Sequence, residues 1–274
     1  MPDLRGPPGR PHRPVRRTLG LLTVAWIAGL AACVLGASLS TPAQAATPAL
    51  QVVTEELPPY NMTRDGRLTG MSTEVVQAVL KDAGIEAPFQ SLPWARAYEM
   101  AQSGENVLIY SIARTPQREK LFKWVGAIAP TQWALYARAD RGIVLHTLDD
   151  ARGYQIATVN EDVGEQYLVQ KGFVIGRQLQ SSNRYEFNHE KLLLGRVDLW
   201  ISNELNAAWH IRQAGGRPGT AIVKVLDLPD VGSSGGVYMA LSVRTSDAVL
   251  ERLRRSLEHI RRNGVYDDIR RRWL

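Results

Sequence analysis

The 274-residue sequence holds a single cysteine, Cys33. No disulfide can form within the chain, and no cysteine cluster can hold zinc or iron–sulfur. Histidine is nearly as scarce: the five are scattered, with no pair at metal-ligand spacing. The sequence therefore gives no basis for a metal site or cofactor. Long apolar runs are confined to one stretch, residues 19–39. Hydrophobic residues make up 45% and charged residues 22%, which excludes a disordered chain. The length allows one large domain or two modest ones.

The first 45 residues differ from the rest. Arg5, Arg10, Arg13, Arg16 and Arg17 precede the apolar stretch, and Ala43-Gln44-Ala45 follows it as a small-x-small site. This is the layout of an export signal, which places the mature chain from near Ala46 and its location in the periplasm. A retained membrane anchor is the alternative, since the run is long enough to span. Leu30-Ala31-Ala32-Cys33 resembles a lipobox, which would make Cys33 a lipidated N-terminus, although Val34, Leu35 and Gly36 stay apolar where a polar tether is usual. Residues 1–45 hold five Arg against one Asp, a surplus of four, so the formal +6 falls to +2 without them. That balance excludes a polyanion binder and gives no nucleic-acid partner.

From Leu50 the pattern is strand, loop, helix, repeated. Strands are expected at 50–54, 89–92 and 107–112, and helices at 73–82 and 94–102. This βαβαβ order implies a parallel sheet with helices on its faces. A strand at 133–137 ends in a polar break at 138–142, read as a crossing into a second lobe. There strands at 155–159, 173–175, 199–202 and 224–228 alternate with helices at 160–169, 188–194 and 205–214. Residues 237–243 return to the first lobe, and helices at 247–262 and 266–273 close the chain. The expected division is 46–137 plus 237–274 for one lobe and 138–236 for the other.

Ligands of such sheets lie at the carboxyl ends of strands. The run at 107–112 delivers Ser111, Ala113, Thr115, Pro116 and Arg118 to one point. Thr115 as N-cap and Pro116 at the first helical position would start a helix there. A guanidinium beside a helix start suits a carboxylate.

The ordered set Leu57-Pro58-Pro59-Tyr60, Gly66…Gly70, Ala113-Arg114-Thr115-Pro116-Gln117-Arg118, Gly195-Arg196-Val197-Asp198 and Asn263-Gly264-Val265-Tyr266 resembles family 3 of the bacterial extracellular solute-binding proteins. The resemblance runs from about Leu50 to Leu274. It implies an α/β, two-lobed periplasmic binding protein fold of type II. Each lobe is then a mainly parallel sheet flanked by helices, and two crossing strands join the lobes.

In function it implies a monomeric receptor, not an enzyme, that closes by hinge bending on a small carboxylate solute such as an amino acid. Delivery to an inner-membrane ABC permease follows. The resemblance puts Arg118 on the solute carboxylate, assisted by Ser111 and Ala113, with Asn160, Glu161 and Asp162 adding contacts from the second lobe. The position that usually holds the solute amino group carries Asn203, with Glu204 beside it. Either Glu204, Glu55 or Glu56 substitutes, or the solute is not a standard α-amino acid. The usual stacking aromatic aligns with Leu57, leaving Tyr60, Trp94 or Tyr110. Two other classes fit the fold: a cleft enzyme similar to cyclohexadienyl dehydratases, and a sensory receptor without a dedicated transporter. His189, beside Glu190 and Lys191, is expected to be solvated on a surface helix.

Overall fold

The computed structural model describes residues 49–232 and 236–274, so the expected export signal, its expected cleavage sites and Cys33 lie outside the described residues. In chain order the elements are β1 (Gln51–Thr54), β2 (Met62–Arg64), β3 (Arg67–Thr69), α1 (Met71–Asp82), β4 (Phe89–Ser91), α2 (Trp94–Ser103), β5 (Val107–Ala113), β6 (Phe122–Pro130) and β7 (Trp133–Arg138). There follow β8 (Ile156–Val159), α3 (Val163–Gln170), β9 (Leu179–Ser182), α4 (Tyr185–Leu193), β10 (Leu199–Asn203), α5 (Glu204–Gln213), β11 (Ile222–Asp227), β12 (Gly236–Ser242), α6 (Asp247–Arg262) and α7 (Val265–Trp273).

Two five-stranded sheets organise these elements. The first has the order β4-β1-β5-β12-β6, with β4, β1 and β5 parallel and β12 antiparallel to both its neighbours. The second has the order β11-β7-β10-β8-β9, with β10, β8 and β9 parallel and β7 antiparallel to β10 and β11. Every residue of β5 and of β10 is buried. Their near-continuous apolar sequences are what a strand covered on both faces requires.

The crossing between lobes falls earlier than the polar break at 138–142 suggested. β6 belongs to the first sheet and β7 to the second, so Thr131 and Gln132 carry the chain across. All five residues of β10 pair antiparallel with residues 133–137, which fixes that segment in the second lobe. The polar break is only a 3-10 turn, Ala139–Arg141, closed by Gly142 at φ 59°. The return crossing lies between β11 and β12.

Two local expectations also change. Residues 115–121 form turns rather than a helix, because only eight residues separate β5 from β6. Arg118 N–H bonds Thr115 C=O at 3.0 Å, Leu121 N–H bonds Arg118 C=O at 3.0 Å, and the chain re-enters the sheet. The strand expected at 173–175 lies at Leu179–Ser182, where a polar sequence pairs with β8 at the sheet edge.

β6 forms the other edge of the first sheet, and α6 packs across it. Leu250, Leu253, Leu257 and Ile260 recur at helical spacing and are buried. Gly126 makes room: a Cβ there would stand 2.6 Å from Leu257 Cδ2. Two arginines from the basic flank of α6 turn onto the strand. Arg254 donates to Trp124 C=O at 2.7 Å and Arg261 to Ala127 C=O at 2.6 Å, satisfying carbonyls of the edge strand.

Candidate functional site

The carboxyl ends of β1, β4 and β5 face those of β8, β9 and β10, and the polar groups these ends carry meet between the lobes. At the end of β1, Glu55 is buried and its carbonyl accepts from Asn61 Nδ2 at 2.6 Å. Asn61 Oδ1 in turn accepts from Ser111 Oγ at 2.5 Å. Ser111 sits at a bulge in β5: consecutive residues Tyr238 and Met239 of β12 pair with Ile112 and Tyr110, passing over it. Its φ of 60° is a left-handed conformation that serine rarely adopts. The bulge re-aims its hydroxyl at the Glu55 loop.

Arg118 is the centre of the arrangement and is only 1% exposed. Its guanidinium carbon lies 5.4 Å from the Trp94 ring centre and 4.8 Å from that of Tyr98, within cation–π range of both. Nη1 donates to Ala113 C=O at 3.4 Å within its own lobe. Nη2 reaches the second lobe, donating to Glu161 C=O at 3.2 Å and Gln166 Oε1 at 3.0 Å. Nε is buried without a partner among the described residues. Trp94 Nε1 donates to the same Glu161 carbonyl at 2.9 Å.

The second lobe holds that carbonyl in place by a tight turn. Glu161 adopts φ 60°, and Glu165 on α3 accepts from Glu161 N–H at 3.0 Å and from Thr158 Oγ1 at 2.6 Å. Asp162, the N-cap position of α3, is buried and accepts a hydrogen bond from Tyr185 Oη. A carboxylate of the chain itself thus stands at this helix start, the favourable end of the helix dipole. Burial raises the Asp162 pKa, while the Tyr185 hydroxyl and the Arg118 charge oppose the rise. Burial, followed by the proximity of Asp162, pushes Glu55 well above the usual carboxylate range, with Arg118 again opposing.

A cavity of about 440 Å³ opens beside this cluster, lined by Glu55, Glu56, Thr63 and Ser91 from the first lobe and Arg184 and Glu186 from the second. Glu56 Oε2 accepts from Thr63 N–H at 2.8 Å, and its Oε1 from Thr63 Oγ1 at 2.7 Å and Ser91 Oγ at 2.5 Å.

The structure brings together Arg118, Ser111, Ala113, Trp94, Glu161 and Asp162 from the sequence-derived set, with Glu56 on the cavity wall. Asn160 is exposed, and its backbone N–H pairs with Ser182 C=O at 2.8 Å. Tyr60 and Tyr110 are not brought to Arg118 by their rings. The Tyr60 hydroxyl donates to Pro130 C=O at 2.8 Å beside the crossing, and Tyr110 meets Thr73 Oγ1 at 3.0 Å inside the first lobe. Asn203 is buried and caps α5, accepting from Asn206 N–H at 2.9 Å. Glu204 pairs with Lys224 at 2.8 Å.

Of the acidic alternatives to Asn203, Glu55 is therefore the one beside Arg118 and Asp162. Sequence reasoning missed Asn61, Gln166, Tyr185 and Asn206, whose Nδ2 donates to Pro58 C=O at 2.9 Å across the lobes. Placing β9 six residues too early hid the strand end that carries Asn183, Arg184 and Tyr185.

A search of protein families matches residues 50–274 to the bacterial extracellular solute-binding proteins, family 3. The chain belongs to that family. Among solved structures, this family 3 protein is similar to an ancestral arginine-binding protein bound to arginine, at 20% identity and TM-score 0.72 over 82% of this chain and 98% of that one. A histidine kinase sensor domain with similarity to periplasmic binding proteins matches at 20% identity and TM-score 0.71, over 83% and 96%. An ancestral amino acid-binding protein described as a precursor of cyclohexadienyl dehydratase matches at 16% identity and TM-score 0.67, over 82% and 94%. At these identities the likeness carries the two-lobed fold alone. No curated protein matches the family 3 chain by sequence. No helix among the described residues is long and apolar enough to cross a membrane.

Proposed function

We propose that this family 3 protein is a periplasmic receptor that captures a small, amino acid-like carboxylate by closing its two lobes, and delivers it to an inner-membrane ABC permease. The observation that carries the reading is Arg118: a buried guanidinium rooted in one lobe, stacked on aromatic rings and donating to the other. A guanidinium fixed in this way meets a carboxylate at little further cost in side-chain entropy. Its Nε is directed to no protein acceptor. The Glu161 and Gln166 contacts couple engagement of Arg118 to docking of the second lobe, with Ser111 and Ala113 beside it.

Asp162 and Glu55 supply the acidic surroundings for an amino group, in place of the acidic residue that Asn203 replaces. Asn203 itself serves α5 as a cap and stabilises the lobe that closes.

The test is a thermal-shift screen of residues 46–274 against amino acids, small peptides, amines and dicarboxylates. A bound solute at 100-fold excess over its Kd adds about 2.7 kcal/mol of stability. Stabilisation by an amino acid, absent in Arg118→Ala, supports the reading. Stabilisation by amines alone contradicts the carboxylate clamp, and turnover of a bound solute contradicts a pure receptor.

A further inference from the structure

The two second-lobe helices that reach the cleft share a layout. On α4, Tyr185 donates to Asp162, and His189 follows one turn later. On α5, Asn206 donates to Pro58 C=O at 2.9 Å across the lobes, and His210 follows one turn later. That spacing puts each histidine on the same helix face as the cleft contact before it. The two imidazoles meet there, stacked with ring centres 5.7 Å apart. Trp200 of β10 crosses both at a steep angle, 5.8 Å from His189 and 6.1 Å from His210. His189 is buried, and neither Nε2 has a hydrogen-bond partner among the described residues. The preceding Asn188 is buried with neither amide atom partnered.

No counter-charge serves this pair. Beyond Tyr185, α4 carries Glu186, Glu190 and Lys191, and α5 carries Glu204 and Arg212. Of the strands beside them, β8, β9 and β10 hold no titratable group. β7 offers Tyr136 and Arg138, and β11 offers Lys224 and Asp227. Most of these are engaged elsewhere: Glu186 with Arg184, Glu204 and Asp227 with Lys224, Arg138 with Asp140, and Lys191 with Ser182. Glu190 and Arg212 are exposed, and none of the set reaches either Nε2. Such surroundings accept a neutral imidazole and penalise an imidazolium. Burial lowers the His189 pKa, and burial followed by the nearness of His189 brings His210 to about 4. Freed from the cluster, each ring titrates near ~6.5, so protons below that pH favour the separated arrangement.

We propose that the stacked His189 and His210 rings form a pH-sensitive joint. Acid separates α4 from α5, and that loosens the contacts of Tyr185 with Asp162 and of Asn206 with Pro58 at the cleft. The joint belongs to the packing of the second lobe and does not depend on Arg118 acting as a carboxylate clamp.

The experiment follows hydrogen exchange of the full chain at about pH 7.5 and about pH 5, either side of the free histidine value of ~6.5. Rates are expressed as protection factors, which removes the intrinsic effect of pH on exchange. Protection of α4 and α5, including the Asn206 N–H held by Asn203 Oδ1, should fall by at least ~10-fold, while β5 stays the better protected. The Trp94 indole N–H, which spans the lobes to Glu161 C=O, should lose protection in step. His189→Phe and His210→Phe should each remove a large part of the loss. Imidazole resonances should show both rings neutral in the folded chain at about pH 6.

The resonances and the exchange of the unsubstituted chain need no variant, so misfolding of either variant leaves the test standing. Equal protection of α4 and α5 at the two pH values overturns the joint, as does a loss that survives both substitutions. A charged ring in the folded chain at pH ~6 overturns it too. Protection of β5 falling to the level of α4 and α5 would mean global unfolding in place of a local joint. Loosened helices with an unchanged Trp94 indole would overturn the link to the cleft.

Discussion

The two lobes treat their buried polar groups differently. In the first lobe the aromatic side chains run in an unbroken series, Trp94, Tyr98, Phe122, Trp124 and Tyr238, with successive ring centres 5.5–5.7 Å apart. In that lobe's cleft the unpartnered Arg118 Nε stands at the site itself. In the second lobe two of the cleft groups are tied to their own lobe, Asp162 to Tyr185 and Asn203 to its helix. Its unpartnered groups include Asn203 Nδ2 at that helix start and, under the helices, Asn188, His189 Nε2, Trp200 Nε1 and His210 Nε2. The first lobe is thus a firm platform with free chemistry at its edge, and the second a softer cover.

Trp94→Ala removes a fully buried indole that stacks on Tyr98, faces Arg118 and donates across the lobes. It should cost about 3–5 kcal/mol of stability, read by denaturant unfolding. A loss under 1 kcal/mol would show that the aromatic series is not what makes the first lobe firm. Tyr185→Phe leaves the buried Asp162 without its hydroxyl donor and should cost about 1–3 kcal/mol. No change in stability would mean that the Asp162 carboxyl does not depend on it.

Hydrogen exchange sharpens the contrast directly. Amides of β10 should exchange through smaller openings than those of β5, since buried unpartnered groups weaken the second lobe. Equal protection of the two central strands would remove the distinction.

Stability should also depend on pH. Burial lowers the His210 pKa to about 4, with His189 stacked 5.7 Å away adding to the fall. An unfolded histidine titrates near ~6.5, so between these values the unfolded chain binds more protons. Stability should be full above pH ~6.5 and decline as pH falls toward 4. His210→Phe should flatten that part of the melting profile, and an unchanged slope would assign it elsewhere.

Much of the fold was legible because its strongest elements carry their own signals. α6 runs from Asp247 to Arg262 as its apolar spacing indicates, and β5 and β10 stand out as short apolar runs. β6 was not legible. Gly126 interrupts its pattern because Leu257 needs the space, and two register shifts against β12 break the alternation. β9 is polar because it pairs on one side only.

The site shows the same division. Arg118 could be read from the strand end that delivers it, but Tyr185, Gln166 and Asn206 become part of it only when the lobes meet. His189 is buried between Trp200 and His210 rather than solvated, since the ring, not its charged neighbours Glu190 and Lys191, faces the sheet.

Whether Arg118 holds the solute carboxylate is decided by calorimetric titration of the chain and of Arg118→Ala with the best-stabilising amino acid. The variant should bind at least ~100-fold more weakly, about 3 kcal/mol, with its fold intact by circular dichroism. Unchanged affinity in a folded variant would contradict it.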